Sequence, residues 1–146
     1  MKFRTTITVD LPRERMIQLF DNPATMKNWQ PGLISFEPIS GTPGQVGAKS
    51  RLKYQMGKRK VEMVETITKR DLPHEFSGTY EVKGVWNSVE NTFEEDGPGR
   101  TIWHSDCEFR MSGFMKLIAF LMPGAFKKES VKMQERFKAW AEKQGG

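Results

Sequence analysis

The chain has 146 residues, of which 23 are basic and 18 acidic, and its formal charge is +5. This length fits one domain spanning residues 1–146, and the 10 Phe and 4 Trp supply large apolar side chains for a packed core. Cys107 is the single cysteine, which excludes an internal disulfide framework and a multi-cysteine zinc site.

The predicted elements begin with a strand, two short helices and a further strand. Residues 2–9 alternate apolar and polar side chains, as a half-buried strand does. Asp10 predicts the N-cap of a short helix over 12–20, and Asn22 with the proline that follows it starts a second short helix. Pro38, near the end of the next strand, indicates a sheet edge because proline cannot donate to a strand ladder.

A run of antiparallel strands follows, separated by short turns rich in glycine and proline. The predicted strands cover residues 2–9, 33–39, 49–56, 60–70, 74–82, 85–95 and 100–110. Residues 111–144 are predicted to be helical, and the pair Pro123-Gly124 divides them into two parts. This order predicts an α+β fold in which the long C-terminal helix covers the apolar face of the sheet.

The C-terminal helical region has two parts of different character. The second part carries a core-facing stripe at spacings of three and four residues, formed by Phe126, Ser130, Met133, Phe137, Trp140 and Ala141. The first part, residues 114–122, is apolar almost all round. Three roles stay open for it: a buried part of the long helix, a lid over a cavity, or a membrane-docking patch beside Lys116, Lys127 and Lys128.

Several segments carry a resemblance to a known superfamily. They are ITVDLPRERMIQLFDNPATMKNWQPGL, GTPGQVGAKSRLKY, DGPGRTIWHSDCEF and the tail ending in FKAWAE. With the element order, they make the chain resemble the helix-grip superfamily (SRPBCC), which includes START lipid-transfer domains, Bet v 1-like proteins and polyketide cyclase/dehydrase-like proteins. The resemblance implies a curved antiparallel sheet of about seven strands wrapped around the long C-terminal helix, with an apolar cavity between them.

Strand alternation and the helices define the residues that would line such a cavity. The predicted ligand-binding set is Trp29, Tyr54, Met56, Met63, Glu65, Phe76, Tyr80, Asn87, Asn91, Trp103, Phe114, Leu117, Ile118 and Leu121. Its tyrosine and asparagine groups can orient a ligand, while its methionines suit an irregular apolar body. Glu65, if it lies inside, needs a partner, water or a proton. The alternative is that these side chains fill the core and bind nothing.

Other chemistries find little support in the sequence. His104, Asp106 and Glu108 share one strand face, but about 13 Å separates the first from the last along an extended strand, which is too far to share one ion. No nucleophile motif is present, and Cys107 is expected to be a small buried side chain. We therefore expect no metal and no cofactor.

The leading functional hypothesis is a binding protein without catalysis, whose partner is a small hydrophobic molecule such as a lipid, a polyketide or a quinone. One alternative is a polyketide cyclase/dehydrase-like enzyme that uses Glu65 as a base. Another is a module that contacts a protein or nucleic acid through the basic hairpin 49–60. A soluble protein is expected, since the longest apolar run, residues 117–126, is too short to span a membrane. We expect it to be cytoplasmic and to be a monomer or a homodimer.

Overall fold

The computed structural model describes residues 1–145. Its strands are β1 (Lys2–Val9), β2 (Leu33–Ser40), β3 (Lys49–Met56), β4 (Arg59–Asp71), β5 (Glu75–Val82), β6 (Val85–Glu95) and β7 (Thr101–Met111). Its helices are α1 (Arg13–Phe20), a 3₁₀-helix (Pro23–Asn28), α2 (Phe114–Leu121) and α3 (Ala125–Gln144). The seven strands form one antiparallel sheet in the order β1-β7-β6-β5-β4-β3-β2. The predicted fold class, a sheet that holds a long C-terminal helix, is confirmed.

The start of α1 differs from its prediction. Asp10 does not cap the helix; Pro12 occupies the N-cap position, and no side chain there bonds to the helix. The backbone N–H of Asp10 instead donates to Glu142 Oε2 at 2.7 Å. Asp10 therefore ties the end of β1 to the last turns of α3, whereas Asn22 caps the 3₁₀-helix as predicted, by accepting from the backbone N–H of Ala24.

An aromatic cluster forms one half of the core between the sheet and α3. Phe137 of α3 is fully buried, and its ring lies 5.0 Å from Trp29, 5.4 Å from Trp103 and 5.8 Å from Phe20. Phe93 packs on the same group. The predicted stripe of α3 is thus confirmed at its centre, and we call these rings the aromatic cluster.

The antiparallel order places alternate turns at opposite ends of the sheet. Gly57, which adopts a left-handed φ of +62°, and Lys58 connect β3 to β4 at one end. Lys83 and Gly84 connect β5 to β6 at the same end, and the chain leaves β7 there to enter α2. We call this end of the sheet the α2 end. The β6–β7 turn at residues 96–100 lies at the opposite end.

The two edges of the sheet are β1 and β2. Pro38 lies in β2, which confirms the predicted edge, and the pairing register shifts between Pro38 and Ser40. At the other edge, α3 lies along β1. Lys138 of α3 donates to the carbonyl oxygen of Thr8 at 2.7 Å.

Gly78 lies within β5, where two backbones come close. A Cβ at this position would lie 2.9 Å from the carbonyl oxygen of Thr66 on β4, so β4 would have to shift. We expect Gly78→Ala to lower the free energy of unfolding by about 1–3 kcal/mol in urea denaturation. Gly99 has no atom within 4 Å of such a Cβ and is the matched control. Equal losses for Gly78→Ala and Gly99→Ala would contradict the backbone clash.

Candidate ligand-binding site

Five side chains form a continuous row across the inner face of the sheet, from β3 to β7. Cross-strand pairs join Ser50 to Glu65, Glu65 to Tyr80, Tyr80 to Asn87 and Asn87 to Phe109. Directly paired residues point to the same face, with Cβ atoms about 4.5–5.5 Å apart. We call these residues the polar row, because all but the last carry a polar group.

Glu65 is the buried carboxyl of the polar row, with 7% of its surface exposed. The Tyr80 hydroxyl donates a hydrogen bond of 2.7 Å to Glu65 Oε2. Burial raises the pKa of the Glu65 carboxyl, and the hydrogen bond from Tyr80 opposes part of that rise. Burial, together with the charge of Glu65, raises the pKa of the Tyr80 hydroxyl. The pair is therefore a buried carboxyl with a raised pKa that accepts a hydrogen bond from a phenol.

Asn87 has an unsatisfied acceptor. Its Oδ1 atom is buried and finds no hydrogen-bond partner within the described residues 1–145. Asn91 lies on the same face of β6, four residues after Asn87. It differs because its Oδ1 accepts a hydrogen bond from Trp103 Nε1 at 2.9 Å. Trp29 Nε1 also lacks a partner, but it lies in the aromatic cluster. Asn87 is thus the group of the polar row that is free to receive a donor.

Tyr54 lies on the same face of the sheet, on β3. Its hydroxyl donates to Oε1 of Gln30, in the segment that joins the 3₁₀-helix to β2. Burial raises the pKa of the Tyr54 hydroxyl, and the charge of Glu65 adds to the effect. Tyr54 therefore keeps its proton and fixes the position of Gln30 above the sheet.

The predicted set divides between the two halves of the inner face. Its strand members all lie on that face by register: Tyr54, Met56, Met63, Glu65, Phe76, Tyr80, Asn87, Asn91 and Trp103. Phe76 and Trp103 pack with Trp29 in the aromatic cluster, which fills its half of the core. Met63 is half-buried on the polar half, whereas Met56 at the end of β3 is exposed.

The α2 members of the predicted set lie elsewhere. Phe114, Leu117 and Leu121 are exposed, and only Ile118 is half-buried. Helix α2 packs against β7 and the β5–β6 turn, where a Cβ on Gly84 would meet Met115 at 3.3 Å. The sequence left three roles open for residues 114–122. The first of them, a buried part of the long helix, is wrong, because most of these side chains are exposed.

Two clefts on the surface of residues 1–145 were considered as binding sites, and neither includes a residue of the polar row. The larger, of about 560 Å³, lies beside α1 and the β4–β5 connection, with Arg13, Asp21 and Leu72 in its wall. The smaller, of about 280 Å³, lies between the 3₁₀-helix and β2. Both clefts are on the outside of the molecule, away from the inner face of the sheet.

The remaining candidate groups are structural. Cys107 is buried and free, its Sγ lies 3.7 Å from Ser105 Oγ, and burial raises the pKa of its thiol. His104 and Asp106 lie on the outer face, where Asp106 pairs with Arg4. Among residues 1–145, no group of three or more His, Cys, Asp or Glu side chains is arranged to hold a metal ion. Nor is any helix in that range long and apolar enough to cross a membrane.

Sequence reasoning missed three polar residues that lie in the core or beside it. Ser50 opens the polar row, and its alternation with Leu52 and Tyr54 was the signal that placed it on the inner face. Gln30 became visible only through its bond to Tyr54. Gln134 of α3 is buried and donates to the carbonyl oxygens of Thr5 and Trp103 at 3.5 and 3.4 Å.

A sheet of seven antiparallel strands that holds a long C-terminal helix, with two short helical segments after the first strand, defines a helix-grip protein. The sequence belongs to the polyketide cyclase / dehydrase and lipid transport family, whose profile matches residues 1–142. It is therefore a member of the Bet v 1/SRPBCC superfamily, as its resemblance implied.

Several solved structures share the fold of this chain. TTHA0849 from Thermus thermophilus has a TM-score of 0.79 at 14% identity, covering 100% of both chains. The ZhuI aromatase/cyclase from Streptomyces sp. R1128 has a TM-score of 0.77 at 13% identity, covering 99% of this chain and 94% of its own. Norcoclaurine synthase from Thalictrum flavum, solved with dopamine and hydroxybenzaldehyde, scores 0.74 at 14% identity and covers 100% and 88%. No curated protein matches the sequence.

Proposed function

We propose that the protein binds a small hydrophobic or amphipathic molecule against the polar row, without catalysis. The observation that carries the proposal is the buried Asn87 Oδ1, which has no partner within residues 1–145. A buried acceptor without a donor costs free energy, so a ligand that donates a hydrogen bond there would be bound more tightly. Phe109, which is paired with Asn87 on β7, and Met63, further along the same face on β4, would contact the apolar body of the ligand.

The family supports a ligand with aromatic or lipid-like character. Its description joins polyketide cyclisation with lipid transport, and the norcoclaurine synthase structure contains two small aromatic compounds. We therefore propose an apolar ligand that carries at least one hydroxyl or amide donor. We also propose a cytoplasmic location, with which a free, buried thiol is compatible.

The test uses a pair of probes that differ by one hydroxyl. Purified protein is titrated with naphthol and with naphthalene, and binding is followed by the fluorescence of its 4 Trp. We expect naphthol to bind about three- to tenfold more tightly, because its hydroxyl donates to Asn87. Asn87→Leu keeps the side-chain size and is expected to abolish that preference.

Asn28→Leu, at an exposed position at the end of the 3₁₀-helix, is the matched control and is expected to keep the preference for naphthol. Equal binding of the two probes by the unaltered protein would contradict the role of Asn87. Absence of binding by either probe, with no small molecule retained in native mass spectrometry, would refute the binding function itself.

A second candidate function is a cyclase-like reaction, and one observation favours it. The Glu65 carboxyl has a raised pKa and lies 2.7 Å from the Tyr80 hydroxyl, so the pair could take a proton from a substrate and return it. If the protein turns over a poly-β-ketone substrate, Glu65→Gln is expected to reduce the rate by about a hundredfold or more. Turnover that survives this substitution would exclude Glu65 as the base.

A further inference from the structure

Helix α2 presents an apolar surface that the rest of the chain leaves uncovered. Phe120 is 80% exposed, Phe114 73% and Leu121 66%, and Leu117 and Met122 beside them are also exposed. A helix that is apolar on all sides is normally buried on all sides. An exposed cluster of large apolar side chains marks an interaction site.

The surroundings of α2 are basic. Lys58 and Arg59 lie at the β3–β4 turn and Lys83 at the β5–β6 turn, all exposed at the α2 end of the sheet. Lys116 projects from α2 itself and is also exposed. From residue 111 to residue 128 the chain contains no acidic residue.

Most acidic residues are placed away from this surface or are already paired. Glu62 pairs with Arg51, and Glu108 pairs with Arg110, on the outer face of the sheet. Glu81 is the exception, because it is an exposed acid near the α2 end, on the outer face of β5. The main acidic cluster, at residues 94–96, lies at the opposite end of the sheet, beside the β6–β7 turn. Basic residues therefore outnumber unpaired acidic residues at the α2 end of the sheet.

From this placement we infer that the α2 end docks on the surface of an anionic lipid membrane. The aromatic and aliphatic side chains of α2 enter the headgroup region, and the lysines around them contact anionic headgroups. Positive charge beside an apolar helix face favours a lipid surface over a protein partner, whose apolar interfaces are depleted in lysine. The inference does not depend on the proposed ligand, because it rests on an outer surface and not on the polar row.

The test is co-sedimentation of the full chain with vesicles. Phosphatidylcholine vesicles with about 30% phosphatidylserine are compared with vesicles of phosphatidylcholine alone at low ionic strength. We expect binding to the anionic vesicles only, with the bound fraction falling as salt is added, because salt screens the lysines. No sedimentation with anionic vesicles would overturn the inference, and so would equal sedimentation with both kinds.

Matched variants separate the apolar contribution from the charge. Leu121→Ser is expected to weaken binding about tenfold, whereas Val46→Ser, at a loop position of similar exposure, leaves it unchanged. Lys116→Glu is expected to weaken binding about tenfold, whereas Lys143→Glu, at the far end of α3, has little effect. If the α2 variants bind as well as their controls, a different surface makes the contact and the inference is wrong.

Two further measurements keep the result interpretable. Thermal unfolding midpoints of the α2 variants should equal that of the unaltered protein, because the replaced side chains are exposed; if Leu121→Ser fails this check, Phe120→Ser takes its place. Light scattering tests whether a second copy of the chain covers α2. A dimer that Leu121→Ser converts to a monomer, without vesicle binding, would overturn the inference in favour of self-association.

Discussion

Replacing Phe137 by alanine is expected to lower the free energy of unfolding by about 3–5 kcal/mol. The side chain is fully buried, and its ring is in contact with Phe20, Trp29, Trp103 and Trp140. Truncation removes the ring from the centre of the aromatic cluster, and the large neighbouring rings cannot collapse into the space without leaving their rotamers. Urea denaturation measures the loss.

Phe120→Ala is the matched control for Phe137→Ala, because the same atoms are removed from a ring that is 80% exposed. Its expected effect is within about 0.5 kcal/mol of zero. Comparable losses in the two variants would show that the aromatic cluster is not the centre of the core. A loss at Phe120 alone would mean that α2 is buried against another element.

Glu65→Gln is expected to stabilise the fold at neutral pH and to do so less as the pH is lowered. Burial raises the pKa of Glu65 in the folded protein above its ordinary value of 4.5, so the folded state binds more protons than the unfolded state. Stability of the unaltered protein therefore falls as the pH rises through 4.5 toward the folded pKa. Glutamine has no charge to desolvate and can still accept from the Tyr80 hydroxyl.

The measurement is urea unfolding of both proteins below pH 4.5 and at neutral pH. The stability difference, variant minus unaltered protein, should grow with rising pH. Glu81→Gln, on the exposed outer face of the neighbouring strand, controls for the change in net charge. A difference that shrinks with rising pH would mean that Glu65 is stabilised as a carboxylate, and the description of the polar row would then be wrong.

Much of the fold follows from local patterns. The strand over 85–95 matches β6 residue for residue, because alternation has a period that shows directly in the sequence. The break at Pro123 and Gly124 likewise follows from residues that interrupt a helix. The predicted helix cap at Asp10 is wrong. Its backbone N–H bonds to Glu142 of α3, a residue 132 positions away, and local patterns do not reveal such a contact.

The candidate site was predictable only in part. Alternation indicates which face of a strand a residue lies on, but not which residue stands beside it on the next strand. Asn87 and Asn91 have the same pattern, yet only Asn91 is paired with Trp103, and that difference depends on register and on side-chain position. The exposure of α2 could not be predicted either, since an apolar composition does not reveal what packs against a helix.

The two edge strands, β1 and β2, determine how readily one molecule of this protein could add to the sheet of another. A free strand edge is a template on which another chain can extend the sheet, which is the first step of edge-to-edge aggregation. At β2, Pro38 lacks an N–H, and the register shift beside it breaks the regular ladder. At β1, the Lys138 ammonium already occupies the carbonyl oxygen of Thr8. Both edges of the open sheet are therefore interrupted, which disfavours their extension by a neighbouring chain.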